Sequence, residues 1–399
     1  MNNFSSYKIG SNLLWSHCRR ALIKTSQCRL RPNFYSAVCL NNADYNMSKL
    51  PSHISENLTE NRTMKLNLRR LTCLLSILYI SSVAEAKPLE ADANVTGIDH
   101  ISTHNYRLLN EMALFCQASY CKSLVPMSEL KLGDKCFTSF CQKKENKDIE
   151  IAFISEPVAG TPGAGYIAVD HGRQWIIVVI RGSSSLEDWI ADFAFVPIPW
   201  KPYAATKSGV KFKCKNCKVH KGFKGTSDLL EKRMCEASST LHEEYPDYKF
   251  IVTGHSLGGA IATLIGADLK MMGMNPLVLS YAGPKVGNEN TAVYIDNLFK
   301  NSAAIKKLDS GGDITQGDYI RVVHVGDLVP KVPPSEFFWH AGAEYFIDKY
   351  DLPHPPSSLV FKGKYKYMPL ISDIDNIIRG NFPFAAHNEY FHVVNKCNA

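Results

Sequence analysis

Residues 250–260 read Phe250-Ile251-Val252-Thr253-Gly254-His255-Ser256-Leu257-Gly258-Gly259-Ala260, an apolar strand that runs through a Gly-x-Ser-x-Gly turn into a helix. A serine at such a turn is held in a strained conformation at the carboxyl edge of a sheet, and the residues two before and two after it must be small. Gly254 and Gly258 meet that need. The helix N-terminus also aims the N–H of Leu257 at a negative oxygen formed beside Ser256. The segment therefore predicts Ser256 as a nucleophile.

Predicted strands and helices alternate around this turn. One face of an early helix carries Tyr106, Leu109, Met112, Ala113 and Cys116. The predicted strands are Ile149–Ile154, Gly165–Asp170, Trp175–Ile180, Phe250–Thr253, Leu277–Ala282 and Tyr319–Val325, and the later helices are Asp228–Glu244 and Gly258–Met272. Ser302–Gly317 is interpreted as a polar surface insertion. The alternation predicts an α/β fold, with a central, mostly parallel sheet flanked by helices.

A serine hydroxyl needs a general base and a carboxylate that orients the base. Asp327 follows the predicted strand Tyr319–Val325, at the edge where such sheets place the acid. Asp313 and Asp318 precede that strand and are interpreted as solvated loop residues, whereas Asp296 belongs to a polar helix face. We therefore predict Asp327 as the acid.

The base is expected to follow the acid along the chain. The candidates are His340, His354, His387 and His392. Of the two near the chain end, His387 precedes Asn388-Glu389-Tyr390-Phe391 and is predicted to be the base. The other three are interpreted as structural histidines.

The positive charge of the chain lies in its N-terminal part. The 399 residues carry a formal net charge of +7, and residues 1–86 hold 11 Lys and Arg against 4 Asp and Glu. Residues 87–399 are neutral, with 34 charges of each sign. Because nucleic-acid binding requires a basic face, we expect no nucleic-acid partner.

Residues 64–86 have the order of a secretory signal peptide. The basic stretch Met64–Arg70 and the apolar run Leu71–Val83 precede Ala84-Glu85-Ala86. The apolar run is short for a stable transmembrane span, and Ala-x-Ala offers small side chains to a signal peptidase. We predict cleavage after Ala86 and an extracellular, secreted protein. An uncleaved signal anchor is the alternative.

Residues 1–63 do not resemble a domain, because they are rich in Ser, Asn and Arg and lack a sustained apolar period. Either Met64 is the true start and the upstream segment is an over-extended reading frame, or residues 1–63 form a disordered or transit-like extension. Residues 87–399 are predicted to form the α/β domain.

Cysteine usage agrees with export. Eight of the twelve cysteines lie in this domain: Cys116, Cys121, Cys136, Cys141, Cys214, Cys217, Cys235 and Cys397. An even number fits an oxidising compartment. No second Cys/His pair at metal spacing accompanies Cys214-Lys215-Asn216-Cys217, so we predict a local disulfide there and no metal site. Asn94-Val95-Thr96 is the glycosylation sequon of this part of the chain and predicts a glycoprotein.

Six motifs follow one another in the domain. They are Arg181–Ser185 with Asp188–Asp192, Val219–Phe223, Thr253–Ala260, Gly283–Gly287, Asp327–Pro330 with Pro333-Pro334, and His340–Tyr345. Together they resemble the class 3 lipases, the family of the secreted fungal triacylglycerol lipases, over roughly Asn105 to Cys397. The resemblance implies an α/β-hydrolase fold with a short helical lid over the active site, and an ester hydrolase that needs no cofactor.

The resemblance also implies roles for individual residues. Ser183 and Leu257 would form the oxyanion hole with their N–H groups. The Ser183 hydroxyl would be a third donor, and Asp192 would hold that hydroxyl in place. The acid and base positions fall on Asp327 and His387. Where the family often has acidic or turn-forming residues before the base, this chain has Ala385-Ala386.

A disulfide pattern is implied by the same resemblance. Its pairs are Cys121 with Cys397, Cys136 with Cys141, and Cys214 with Cys217. Cys116 and Cys235 remain, either as a fourth bridge or as buried thiols.

The segment after Ser183 bears on the substrate. Its apolar helical face consists of Leu186, Trp189, Ile190 and Phe193, at i, i+3, i+4 and i+7. The face is interpreted as a lid over Ser256 rather than as an ordinary surface helix, and a hydrolase of polar esters would be expected to carry a more hydrophilic flap. We predict a monomeric triacylglycerol lipase whose partners are acylglycerol and the lipid–water interface.

Three other functions stay open. A feruloyl-type or other carboxylesterase and a phospholipase share the fold, so the fold does not choose among these substrates. A catalytically inactive lipid-binding or cell-wall protein is the third, and the complete set of predicted catalytic residues argues against it.

Overall fold

The computed structural model describes residues 101–121, 130–155, 164–183, 195–207, 209–333, 335–365 and 384–397. These residues belong to the second of two units into which the chain divides, 93–399. The predictions for the N-terminal extension, the signal peptide and Asn94 lie outside the described residues. So do those for Asp192 and for the four residues of the lid face.

Eight strands form the central sheet. They are β1 (Glu150–Ser155), β2 (Gly165–Asp170), β3 (Trp175–Ile180), β6 (Lys249–His255), β7 (Leu277–Tyr281), β8 (Tyr319–His324), β9 (Ala343–Ile347) and β10 (Leu359–Lys364), in the spatial order β1-β2-β3-β6-β7-β8-β9-β10. The neighbours from β3 to β9 are parallel, whereas β1, β2 and β10 pair antiparallel at the edges. Two small ribbons join β4 (Pro197–Pro199) to β5 (Lys218–His220) and β11 (Glu389–Tyr390) to β12 (His392–Val393).

Helices flank the sheet. They are α1 (Thr103–Ala118), α2 (Leu132–Lys135), α3 (Tyr203–Lys207), α4 (Lys221–Glu244), α5 (Leu257–Met271), α6 (Glu289–Leu298), α7 (Asn301–Asp309) and α8 (Phe384–Asn388). The architecture is that of the α/β-hydrolase fold, as predicted. Within the described ranges, no helix has the length and apolar character needed to cross a bilayer.

The central strands are apolar throughout because both of their faces are covered. In β3, Ile177 and Val179 pack in the core that contains Leu109 and Met112 of α1. The alternate residues Ile176 and Val178 pack in a second core with side chains of α4 and α5. The period of two in side-chain direction thus assigns the two faces of the sheet to two helical layers.

Several elements differ from the sequence prediction. Helix α4 begins at Lys221 rather than Asp228, because Gly222 and Gly225 mask the helical pattern of its first two turns. Residues 301–309, interpreted as part of a polar insertion, form helix α7 and bury Ala304 and Leu308. Strands β9 and β10 were not predicted, although β9 has an alternating burial pattern.

Of the acidic residues interpreted as solvated, Asp318 is instead buried, and Asp296 on its helix face has a structural contact as well. Asp318 is 6% exposed and accepts hydrogen bonds from the Thr315 N–H at 2.8 Å and from Lys307 Nζ at 2.6 Å. Asp296 accepts from the Gly342 N–H at 2.8 Å. Both carboxylates hold neighbouring loops in place, so they are structural residues of the sheet edge rather than free surface charges.

Candidate active site

Ser256 lies between β6 and α5 in a strained backbone conformation. Its φ of 61° and ψ of −128° are rare for a residue with a side chain, and such geometry costs about 1–3 kcal/mol. Its N–H donates to the carbonyl of Tyr281 at 2.9 Å, which ties the turn to the carboxyl end of β7. The strand, the sharp turn and the helix predicted from residues 250–260 are all present.

The two glycines of this turn are required by close backbone packing. A Cβ at Gly254 would overlap the carbonyl of Gly258, and a Cβ at Gly258 would overlap the carbonyl of Ile180 at the end of β3. Parallel pairing also places Gly254 directly opposite Ile180. The helix can start at Leu257 only because these backbones approach each other so closely.

The predicted oxyanion donors come from two neighbouring elements. Leu257 is the first residue of α5, and Ser183 follows β3 through the buried Gly182. A Cβ at Gly182 would lie 3.1 Å from the Cβ of Ser256 and 2.6 Å from the carbonyl of His255. The chain that leads to Ser183 therefore packs directly against the turn that carries Ser256.

Asp327 and His387 are in direct contact. His387 Nδ1 lies 3.0 Å from both Oδ1 and Oδ2 of Asp327, although 60 residues separate them in sequence. Asp327 is fully buried and also accepts from Tyr390 Oη at 2.6 Å and from the Val329 N–H at 2.9 Å. The carboxylate is thus satisfied on both oxygens and fixes the ring of His387.

The charge state of Asp327 follows from these contacts. Burial works to raise the pKa of Asp327, but the charge of His387 and hydrogen bonds from His387, Tyr390 and Val329 outweigh it and leave the pKa below its ordinary value. The pKa of Tyr390 is raised by burial and by the same carboxylate, so its hydroxyl keeps the proton that it donates. Asp327 is therefore ionised at neutral pH.

The other ring nitrogen of His387 is buried and without a hydrogen-bond partner among the described residues. The ring lies 4.8 Å, centroid to centroid, from that of His255, the neighbour of Ser256. The structure thus brings Asp327 and His387 together and places His387 beside the turn that carries Ser256, with no hydrogen bond between Nε2 and Ser256 Oγ. Such bonds are often long without substrate.

His255 is a site residue that the sequence reasoning missed. Its Nε2 lies 2.8 Å from the carbonyl of His387, and its Nδ1 lies 2.9 Å from Tyr120 Oη. Burial, with the neighbouring His387 as a second cause, lowers the pKa of His255 to about 3, so its ring is neutral. Because a carbonyl only accepts, Nε2 carries the proton and Nδ1 accepts from Tyr120.

A second buried histidine holds the residue before the base. His324 Nδ1 lies 2.8 Å from the carbonyl of Ala386, and Ala386 itself is buried. Two imidazoles thus hold the backbone of 386–387. Ala386 is one of the two alanines that precede His387, where the class 3 lipases often have acidic or turn-forming residues.

The remaining candidate histidines have other contacts. His340 is buried and donates from Nε2 to the carbonyl of Pro330 at 2.7 Å. His354 accepts from the Phe391 N–H at 3.0 Å. Neither contacts Asp327 in the way that His387 does, and His392 lies partly exposed in β12.

The disulfides of the structure are Cys121–Cys397, Cys136–Cys141 and Cys214–Cys217, the pairs that the resemblance implies. Cys116 and Cys235 are buried thiols. Over the described residues, no cluster of three or more His, Cys, Asp or Glu side chains could hold a metal ion.

Known proteins with similar sequences are lipases or relatives of lipases. The sequence pattern of the family Lipase (class 3) matches residues 177–337. LIH1 of Saccharomyces cerevisiae is 37% identical over 218 residues, which are 53% of this chain and 66% of the yeast protein. The secreted mono- and diacylglycerol lipase A of Penicillium cyclopium is 28% identical over 70% of this chain and 80% of its own length. This chain thus spans just under two thirds of the yeast protein.

Solved structures show the same fold. The Lip2 lipase of Yarrowia lipolytica aligns with a TM-score of 0.61 at 28% identity, over 75% of this chain and 97% of the Lip2 chain. The alignment therefore extends over nearly the whole of a crystallised fungal lipase.

Proposed function

Because the chain belongs to the class 3 lipase family, we propose that it hydrolyses the carboxylic ester bonds of acylglycerols with Ser256 as nucleophile, His387 as base and Asp327 as the acid. The observation that carries the proposal is the buried Asp327–His387 pair beside a serine held at φ 61°. The name of the Penicillium relative, a mono- and diacylglycerol lipase, supports acylglycerol as the substrate class.

Each proposed step has a group suited to it. Asp327 holds the proton of His387 on Nδ1, so Nε2 can take the Ser256 proton as Oγ bonds to the carbonyl carbon. The N–H groups of Leu257 and Ser183 would stabilise the resulting oxyanion. When the C–O bond breaks, Nε2 returns the proton to the leaving alcohol. Water, activated by the same nitrogen, then releases the fatty acid and restores Ser256.

The lid is the second part of the proposal. Burying Leu186, Trp189, Ile190 and Phe193 over the site would favour a closed form in water by roughly 1.5–3 kcal/mol for each large side chain. At an oil surface the same face is buried in lipid, so the open form gains population. We expect the rate to rise once substrate exceeds its solubility limit. Trp189→Glu should blunt that rise more than it slows hydrolysis of a soluble ester.

The test compares two substrates. Purified protein should hydrolyse emulsified long-chain triacylglycerol faster than soluble methyl ferulate, and Ser256→Ala should remove both activities. A preference for methyl ferulate would assign the chain to the polar-ester hydrolases, and a preference for phospholipid would make it a phospholipase. No hydrolysis of any ester would leave an inactive lipid-binding protein.

Secretion belongs to the same proposal. Three disulfides within residues 87–399 fit an oxidising compartment, and the Penicillium relative is named as secreted. Mature protein should begin near Lys87 and behave as a monomer in size-exclusion chromatography with light scattering. N-terminal sequencing that found a start within residues 1–63 would contradict this processing.

A further inference from the structure

One surface of the molecule is strongly basic although the domain as a whole is neutral. Between Asp192 and Asp228 the sequence contains eight lysines and no acidic residue. Lys224 is buried and pairs with Asp228 and Glu231. The other seven are exposed, and we call them the Lys-rich surface: Lys201, Lys207, Lys211, Lys213, Lys215, Lys218 and Lys221.

The charges of the Lys-rich surface are not neutralised by ion pairs. None of its seven lysines lies within 4.0 Å of a carboxylate in the part of the chain that the structure describes. Acidic residues occur at the margins of this surface: Glu289 at the start of α6, and Asp228 and Glu236 further along α4. A concentration of unpaired charge on a neutral domain is an electrostatic feature that an anionic partner can recognise.

Hydrogen bonds place part of this surface at the edge of the sheet that carries the active site. The N–H of His220 donates to the carbonyl of Val286, the N–H of Asn288 donates to the carbonyl of Lys218, and the N–H of Lys218 donates to Asn288 Oδ1. Residues 286 and 288 lie in the loop that leaves β7, and the carbonyl of Tyr281 at the end of β7 accepts from the Ser256 N–H. The ribbon β4–β5 is therefore packed at the carboxyl edge of the sheet, the edge at which Ser256 lies.

Apolar residues are exposed at the same edge. Val196, whose carbonyl accepts from the Lys221 N–H, is 43% exposed. Phe337, two residues before Trp339, is 54% exposed, and the N–H of Trp339 donates to Gly287 of the same loop. Apolar side chains beside lysines are the combination that binds an anionic lipid interface.

We propose that the Lys-rich surface docks the protein on a lipid–water interface that carries fatty-acid carboxylates. The choice of carboxylates rests on the proposed function, because ester hydrolysis leaves them at the surface of the substrate. The reaction then strengthens its own docking, since each fatty acid released adds a negative charge next to the active-site edge. A droplet that has been partly hydrolysed retains the enzyme better than a fresh, uncharged one.

The test variant is the triple change Lys213→Gln, Lys215→Gln and Lys218→Gln. A matched control is Lys143→Gln, Lys144→Gln and Lys147→Gln, which removes three exposed lysines from the loop before β1. Strand β1 pairs with β2, and β2 with β3, both antiparallel, so the start of β1 lies at the amino edge of the sheet, away from Ser256. Both variants lower the net charge equally.

Binding is measured by co-flotation with phosphatidylcholine vesicles, with and without about 30 mol% oleate, at mildly alkaline pH where oleate is ionised and lysine stays charged. The Ser256→Ala background prevents hydrolysis. Oleate should tighten binding about tenfold or more, the triple variant at 213, 215 and 218 should lose most of that gain, and the control should keep it. High salt should remove the difference.

Several results would overturn the proposal: equal binding with and without oleate, an equal loss in the control variant, or tighter binding to duplex DNA than to vesicles through the same lysines. Turnover of soluble p-nitrophenyl acetate by both triple variants with Ser256 intact should equal that of the parent. If the parent shows no turnover, the proposed function fails while the vesicle result still stands by itself.

Discussion

At the scale of single residues, His387, the proposed base, is held through its backbone as well as through its ring. His255 donates to the carbonyl of His387, while His324 lies at hydrogen-bond distance from the carbonyl of Ala386. The Asp327 carboxylate then fixes the ring. A base positioned this way needs little reorganisation when Ser256 gives up its proton, and a displacement of 1 Å in such a group can cost about 100-fold in rate.

His255→Phe should therefore slow catalysis without blocking substrate binding. The change keeps a ring but loses the bonds to His387 and Tyr120, so we expect kcat on a soluble ester to fall about 10–100-fold with KM nearly unchanged. His255→Gln can still donate and should lose less. Steady-state kinetics measures both.

The control for this change is His171→Phe, at an exposed turn on the opposite edge of the sheet, which should leave kcat unchanged. If His255→Phe keeps the parent kcat, the bond to the His387 carbonyl does not position the base. A rise in KM and a fall in kcat together with a lost fold, seen by circular dichroism, would make His255 merely structural.

The sequence predicts the proposed catalytic residues unequally. Ser256 can be predicted from its local neighbours, because the strand, the Gly-x-Ser-x-Gly turn and the start of the helix lie within eleven consecutive residues. Asp327 follows from its place at the end of a strand. The partners Tyr390, His255 and His324 do not follow, since each acts on a residue about 60 to 130 positions away, and only the folded chain brings them together.

At the scale of elements, one buried carboxyl joins two helices. Asp268 of α5 is fully buried and accepts the N–H of Ala204 in α3 at 2.8 Å, while its other oxygen finds no hydrogen-bond partner in the described chain. Burial, and then the charge of Glu231, raises the pKa of Asp268 to about 8. The folded protein therefore holds this group protonated at neutral pH.

The raised pKa predicts a stability that falls with pH. In the unfolded chain the pKa is about 3.9, so between that value and about 8 folding takes up a proton and becomes less favourable as the pH rises. Asp268→Asn removes the ionisable proton. As the pH rises from 5 to 8, the variant should therefore keep roughly 4 kcal/mol of unfolding free energy that the parent loses. Urea unfolding at both pH values measures it.

The control is Asp247→Asn, an exposed carboxyl, whose pH profile should run parallel to that of the parent. Equal profiles for the parent and Asp268→Asn would show that Asp268 is ionised in the folded protein, and the account of the α3–α5 contact would be wrong.

Elements were predicted where the pattern is strong and missed where it is diluted. The buried strands β3, β6 and β8 read as apolar runs: β3 has the predicted bounds, and those of β6 and β8 shift by one or two residues. Helix α7 presents only a small apolar stripe in a polar segment, so its tertiary contacts rather than its composition make it a helix. The first turns of α4 were missed because two glycines lower the helical signal.

At the scale of the whole molecule, a long-range disulfide fastens the segment that carries the base. Cys121, just after α1, bonds Cys397 across 276 positions, whereas Cys214 and Cys217 are three positions apart. Residues 384–397 contain His387, and Gln117 of α1 donates to the carbonyl of Val393 in the same segment at 2.8 Å. Loop-closure entropy makes the long bridge the more stabilising one.

Cys121→Ser with Cys397→Ser should lower the free energy of unfolding by about 2–5 kcal/mol and reduce turnover through a looser His387. The Cys214–Cys217 bridge closes only a short loop. Its removal in Cys214→Ser with Cys217→Ser should lower the free energy of unfolding by about 1–2 kcal/mol, with turnover kept. Thermal unfolding and ester hydrolysis measure the two effects. A larger loss in the second variant would show that the long bridge does not hold the C-terminal segment.

The pairing of Cys121 with Cys397 also marks what sequence reasoning from the residues alone does not reach. Eight cysteines permit many connectivities, and only a resemblance to a known family selected one. The α/β order of the sheet, by contrast, followed from alternating apolar strands and helices. Disulfide pairing between distant cysteines depends on which segments the fold brings together, whereas the alternation of strands and helices is visible in the local sequence.

The central claim is that Ser256 is the nucleophile of an ester hydrolase, and covalent labelling tests it most directly. In a p-nitrophenyl alkylphosphonate, Ser256 Oγ would bond to phosphorus and displace p-nitrophenolate, leaving a stable adduct. Intact-mass analysis should show one adduct, peptide mapping should place it on Ser256, and labelling should be slow in His387→Ala and absent in Ser256→Ala. An adduct on another residue, or none on the folded protein, would contradict the account.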